Sequence, residues 1–264
     1  MTRFKVFAKH TRLVRASLML ATLSLTSAVS ANNTAFGPEP DADSLWATGT
    51  AWAPDKSRVL YQEFHFAENP ELDLPTRVQY RTPDGELFAE KVMDYTPVMT
   101  APRIRQIDYR NSARIETQPL TDMRPPRVEI GFQAHDSNQF VQAQVPLRED
   151  LVVDAGFDPF IRANWDRLTT GRAVSAHFLV PARQDTVRVN LSSTDQRNCS
   201  AVQAPLSCFV IRPAGLLRVV GFLVDPIYIG YEQDSRRLAM FSGISNLRDD
   251  RGEPQNVLIT YEYH

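Results

Sequence analysis

The chain has 264 residues, 29 Lys and Arg against 31 Asp and Glu, a formal net charge of −2 and 43 % hydrophobic residues. That is enough apolar material for a full core in one large domain or two small ones. A mean hydropathy of −0.30 argues against a protein with many membrane spans, and the lack of basic excess argues against non-specific nucleic-acid binding.

The first 31 residues differ from the rest. Arg3, Lys5, Lys9, Arg12 and Arg15 precede an apolar run from Leu18 to Val29, which ends in the small residues Ala28-Val29-Ser30-Ala31. Positive charge, a short apolar run and small residues at its end are the pattern of a cleaved export signal. The run is shorter than the ~20 apolar residues a bilayer span needs. No Arg-Arg pair occurs in these residues, and no cysteine directly follows the run, so the pattern predicts Sec-type export to the periplasm without a lipid anchor. Removing residues 1–31 with their five basic residues turns −2 into −7, and the mature chain is expected to lack a transmembrane segment. Residues 32–57, rich in Asn, Pro and Asp, are expected to form a mobile mature N-terminus. Residues 58–264 are expected to form a single β-rich domain, with a hinge near Glu149 to Gly156 as the alternative.

Strand patterns begin near Arg58. Val59 and Tyr61 alternate with Leu60, Gln62, Phe64 and Phe66, an aromatic-rich strand. Thr76 to Arg81 and Leu87 to Tyr95 flank Thr82-Pro83-Asp84-Gly85, a turn in which proline presets φ and glycine closes. Ile104 to Tyr109 and Arg114 to Gln118 make a more polar hairpin, whose charges predict an exposed or edge position. Arg127 to Gln133 and Gln139 to Val145 pair around His135-Asp136-Ser137-Asn138. One helix interrupts the series near 159–169: Asp158 reads as N-cap, Pro159 as first helical residue and Gly171 as stop. Phe160, Ile161, Trp165 and Leu168 form its apolar stripe.

Strands resume at Ala173 to Val180, Thr186 to Leu191 and Cys208 to Ile211. Leu216 to Val224 is apolar on both faces and reads as strand or helix. Ile227 to Glu232, Arg237 to Ile244 and Asn256 to Tyr263 close the chain. In the last, Val257, Ile259, Tyr261 and Tyr263 share a face with period two. Short connections favour antiparallel neighbours. The expected fold is mainly β: a curved antiparallel sheet, a half-barrel or open barrel, with one short covering helix.

Cys199 and Cys208, the two cysteines, lie nine residues apart around Pro205. In an oxidising compartment this predicts a local disulfide. The spacing is not Cys-x-x-Cys, which argues against a redox-active pair.

Catalytic signatures are scarce. The sequence has no Gly-x-Ser-x-Gly elbow, glycine-rich phosphate loop or dinucleotide fingerprint, and its histidines lack metal-ligand spacing. No catalytic residue, metal ligand or cofactor is therefore assigned. Glu63-x-His65 places two side chains on one face of a strand as an acid–base or metal pair, weighed against an ordinary place on an aromatic strand. His135 reads as a solvated turn residue, His177 as a hydrogen-bonded wall residue and Asp249 to Glu253 as a solvated turn. The sheet's curvature suggests an enclosed apolar volume, with Phe64, Phe66, Trp165, Phe178, Phe209 and Phe222 as wall residues for a lipid or other apolar ligand. The alternative is that these aromatics fill a core.

Three segments carry a resemblance: Arg77-Val78-Gln79-Tyr80-Arg81-Thr82-Pro83-Asp84-Gly85, Phe178-Leu179-Val180-Pro181-Ala182-Arg183, and Gly243-Ile244-Ser245-Asn246-Leu247 with Asp249 and Gly252. Through them the chain resembles a group of exported proteins of Gram-negative bacteria, with which no activity travels. Its plan is also similar, in architecture alone, to half-barrel periplasmic lipoprotein carriers, whose curved sheet holds acyl chains under helical cover. Export, β-richness, one covering helix and the missing catalytic motifs predict a periplasmic binding or carrier protein for an apolar or amphipathic ligand. The alternatives are an envelope structural or interaction protein, offering the polar hairpin to a protein partner, and a hydrolase with dispersed catalytic residues.

Overall fold

The structure is a computed structural model that describes residues 36–69, 71–214 and 225–264. Fifteen strands form one sheet. The first arm contains β1 (Leu45–Trp52), β2 (Val59–Phe66), β3 (Arg77–Arg81), β4 (Leu87–Asp94), β5 (Arg103–Asp108), β6 (Arg114–Leu120), β7 (Arg127–Gln133) and β8 (Phe140–Pro146). A crossing segment follows: β9 (Leu151–Val152), a single 3-10 turn over Asp154–Gly156, α1 (Phe157–Ala163) and α2 (Trp165–Thr169). The second arm contains β10 (Val174–Val180), β11 (Asp185–Ser193), β12 (Leu206–Pro213), β13 (Ile227–Glu232), β14 (Leu238–Arg248) and β15 (Pro254–Tyr263).

Across the sheet the order runs from β8 down to β1, then from β15 down to β9. Each strand therefore pairs with its sequence neighbour, and the two arms are joined where the first strand meets the last. Ala47 pairs with Tyr263 and Trp52 with Leu258. All pairs are antiparallel except the short β9–β10 pair, which is parallel. Consecutive antiparallel strands need only tight connections, and Gly85, at φ 89°, supplies the left-handed residue that closes the β3–β4 turn.

The sheet is open, with β8 and β9 as its edges, but its arms curl toward each other. The 3-10 turn Pro181–Arg183 after β10 packs on β7. Leu151 and Val153 share a buried cluster with Val128, Ile130 and Val145 of the opposite arm. The Val153 N–H donates to the Thr100 carbonyl at 2.9 Å. At the other end of the strands, Arg110 reaches the β14–β15 loop, donating to Asp250 at 2.7 Å and to the Arg248 carbonyl at 3.0 Å.

Several expectations are corrected. Order begins well before Arg58: β1 occupies the middle of the sheet, and residues before it are tied to the outer face. Arg77 donates to the Pro38 carbonyl and Arg81 to Glu39, both at 2.8 Å. The inward positions of β1 are Ala47, Gly49 and Ala51, so its buried face is small rather than strongly apolar and gives a weak strand signal. The polar hairpin is exposed on one face but is not an edge. β5 and β6 lie inside the sheet, and their charges pair on its outer surface, Arg105 with Glu116 at 3.6 Å and Arg103 with Asp94 at 3.5 Å. The stretch expected as an alternative hinge holds β9 and the 3-10 turn.

The helix is also displaced. It starts at Phe157 with Gly156 as cap, because the 3-10 turn feeds straight into it. Asp158 lies inside the first turn and pairs with Arg162 at 2.8 Å, four residues on. Pro159 still fits, since first-turn amides have no helical partner. Asn164 breaks the helix into α1 and α2, its side chain donating to the Phe160 carbonyl at 2.9 Å in competition with the backbone. Together α1 and α2 cover one end of the second arm, where Ile161, Trp165 and Leu168 bury against Leu191, Phe209 and Tyr231.

On the opposite face, Cys199 and Cys208 lie at disulfide distance with Cα atoms 6.2 Å apart, in a buried cluster with Met240 and Leu258. Leu216 to Val224, whose strand or helix assignment was open, lies outside the described residues, as do residues 1–31. Among the described residues no helix is long and apolar enough to cross a membrane.

Candidate ligand cavity

Curling the arms toward each other leaves a cavity of about 370 Å³ between them. Its walls are mostly apolar, among them Val78, Ile104, Phe157, Phe178, Ile211 and Phe241. Two polar clusters break the apolar surface, each assembled from strands distant in sequence.

The first cluster is centred on Glu63 of β2, which is 7 % exposed. Its Oε2 accepts from His65 Nε2 at 3.0 Å and from the Tyr261 hydroxyl at 3.3 Å. Glu63 and His65 share a face because they are two residues apart on a strand. Tyr261 joins them because β1, the strand between β2 and β15, carries Gly49 at that level. Burial pushes the Tyr261 phenol well above its usual value, and the Glu63 carboxylate pushes it further. The same causes act in the same order on Tyr61 and Tyr80. These phenols therefore stay protonated, and the Tyr261 hydroxyl donates to Glu63.

The second cluster is centred on Asp154, whose backbone is left-handed at φ 42°. Such a conformation is uncommon for a residue other than glycine, and here it accompanies a carboxylate with two partners. Lys91 Nζ lies 2.7 Å from Oδ1, and Asn246 donates to Oδ2 at 3.0 Å and to Gln106 at 3.2 Å. Lys91 also lies 6.0 Å from the Tyr80 ring centroid, a stacking that helps hold a cation in an apolar wall. Further along, the half-buried Asp158 faces Arg162 and Tyr231. Burial raises its carboxyl above the ordinary range, and Arg162 opposes the shift.

Of the aromatics expected on the wall, Phe178 lines the cavity. Trp165 and Phe209 do not line it. They pack edge-on with ring centroids 5.7 Å apart beneath the helices, filling a core. Phe64 and Phe66 alternate with Glu63 and His65 and also lie off the cavity, Phe64 under the Arg81 guanidinium at 6.0 Å. On β2 the inward face is the polar one, opposite to the reading from hydrophobicity. Phe222 lies outside the described residues.

Lys91, Asp154, Asn246 and Tyr261 were not assigned to a site from sequence. Lys91 left one trace: it interrupts the face carried by Ala89, Met93 and Tyr95. Nothing local marked Asp154.

The remaining histidines sit elsewhere. His177 is hydrogen-bonded to Asp150 at 2.8 Å, but it does not line the cavity. His135 is not simply solvated. Its side chain is 16 % exposed and packs over Gly252, where a Cβ would come within 2.3 Å of the ring. In the neighbouring turn, Asp249 accepts from the Arg251 and Glu253 amides at 2.9 and 2.8 Å. Among the described residues no group of three or more His, Cys, Asp or Glu side chains has an arrangement that could hold a metal ion.

Comparison of the chain with protein-family models, with curated proteins and with solved structures finds no match. Fold and cavity by themselves define the molecule as a single open antiparallel sheet, short-helix covered, curled around an apolar chamber with two polar clusters in its wall.

Proposed function

We propose that this chain is a periplasmic binding or carrier protein for an apolar or amphipathic ligand held between the arms of the sheet. The observation that carries the reading is the apolar cavity of about 370 Å³, within the ~300–1,000 Å³ range of small-molecule sites. A void of this size that served only as core would cost stability, because packed interiors leave few gaps larger than a water molecule. Its apolar walls suit a hydrocarbon body, and its polar clusters suit a head group. The periplasmic address is supported by the charge and small-residue pattern of residues 1–31 and by a cysteine pair suited to an oxidising compartment. The similarity to half-barrel lipid carriers, one of architecture, agrees with both.

Titration of the mature protein with a fluorescent acyl probe tests the reading. Saturable binding of one probe per chain, displaced by unlabelled amphiphile and weakened by Ile244→Trp in a protein that still melts cooperatively, is expected. Absence of saturable binding to wild type contradicts it. Osmotic-shock fractionation tests the address, with release alongside periplasmic markers as the expected result.

A further inference from the structure

We propose that Glu63, His65 and Tyr261 seat the ligand's head and select a hydrogen-bond donor, a hydroxyl or a protonated amine, over a carboxylate; this inference rests on the cavity reading above. Glu63 is 7 % exposed and lies on the cavity wall. Both of its protein partners use the same oxygen: His65 and Tyr261 meet Oε2. Among the described residues, Oε1 has no hydrogen-bond partner. Nor does any Lys or Arg among them pair with Glu63, whose one ionic contact is His65. Among the described residues two cations line the cavity, and both have partners: Lys91 is committed to Asp154 at 2.7 Å, and Arg248 donates to the Gly252 carbonyl at 3.1 Å.

Glu63 Oε1 is open to the cavity rather than sealed in the wall, and a carboxylate oxygen without a protein donor gains from a ligand donor that reaches it. A hydroxyl or ammonium head supplies that donor. A carboxylate head does the reverse: it brings a second acceptor-only anion against Glu63, and like charges at short range in a poorly solvated site repel strongly. His65 adds to the seat from the side. Its ring stands edge-on to Tyr261, centroids 5.6 Å apart, and with Nε2–H given to Glu63 its Nδ1 is an acceptor with no hydrogen-bond partner among the described residues, available to a second N–H of an ammonium head. The apolar remainder of the cavity, including Phe178 and Ile211, is left to the hydrocarbon tail.

The experiment is competition against the fluorescent acyl probe by three ligands of equal chain length: dodecanol, dodecylamine and dodecanoate. With wild type, the alcohol and the amine are expected to displace the probe at roughly ten-fold lower concentration than the carboxylate, the scale of one hydrogen bond to a charged group. In Glu63→Gln, whose amide offers donor and acceptor together, the preference is expected to fall to within about two-fold. Dodecanoate matching or exceeding the other two on wild type overturns the head-group inference and leaves the cavity reading standing. So does a preference that survives in Glu63→Gln. Failure of wild type to bind the probe at all overturns both. The wild-type comparison decides the matter even if Glu63→Gln does not fold.

Discussion

Tyr261 and Glu63 meet over Gly49. The two residues are the register partners of Gly49 on either side of β1, and their side chains touch across it at 3.3 Å. A Cβ on Gly49 would lie 2.9 Å from the Tyr261 ring and 3.1 Å from Glu63 Oε2. An alanine in a strand usually gains stability over glycine, by about 0.5–1 kcal/mol. At this position the sign is expected to reverse, because both side chains must move: Gly49→Ala should lose about 1–3 kcal/mol in urea unfolding and weaken ligand binding with it. An alanine variant as stable as wild type would show that the two side chains are not held over β1.

On the other face, Arg77 and Glu90 form an ion pair at 2.8 Å with side chains 4 % and 0 % exposed. Glu90 also accepts from Gln79 at 3.3 Å and from the Tyr109 hydroxyl, while Arg77 holds the Pro38 carbonyl. Removing the carboxylate takes its charge and hydrogen bonds away from a buried guanidinium, so Glu90→Ala should cost about 3–5 kcal/mol. Glu90→Gln keeps the shape and one acceptor and should cost less. Denaturant midpoints for the two variants check this; equal, small losses would mean that the pair contributes little to the fold.

Alkaline pH should unfold the protein through its tyrosines. Burial, reinforced by nearby carboxylates, raises the phenols of Tyr61, Tyr80, Tyr95, Tyr231, Tyr261 and Tyr263. A folded-state value above the unfolded one near 10 means that the folded chain holds these protons longer. Their contribution is then intact below about pH 10 and is lost as pH climbs toward the raised values. Tyrosinate absorbance at these sites should therefore rise together with loss of β-sheet circular dichroism. Six phenols ionising along an ordinary curve in a still-folded protein would refute the burial described here.

The cysteine pair closes a short ring on the outside of the second arm, next to Met240 and Leu258. The chain-entropy model assigns a ring of this length ~2–3 kcal/mol. Cys199→Ser with Cys208→Ser should lower the unfolding free energy by about that amount and leave ligand binding unchanged, since neither cysteine lines the cavity. Loss of binding in a folded double variant would place the loop closer to the site than its position indicates.

The fold was more legible than the site, for a physical reason. Period-two alternation is local, and where inward residues are bulky, as Val257 and Ile259 are, the strand announces itself. β1 has the same period with Ala47, Gly49 and Ala51 inside, and small residues leave no hydrophobic signal. Curvature was legible only as a class. The direction a strand faces depends on how the arms curl, and in β2 hydrophobicity pointed Phe64 inward where the structure puts Glu63. The polar clusters were least legible, because contacts such as Tyr261 with Glu63 span 198 positions and exist only through the pairing of the first strand with the last. Glu63-x-His65 was visible as a pair, but its third member was not.

The most direct test of a ligand-carrying chamber is to look for what the native protein carries. Native mass spectrometry of protein released from cells without detergent is predicted to show a mass addition that dissociates on collisional activation, with an amphiphile recovered by solvent extraction in near-stoichiometric amount. A bare chain mass in every preparation, with no amphiphile extracted and none taken up from added lipid, would contradict the account.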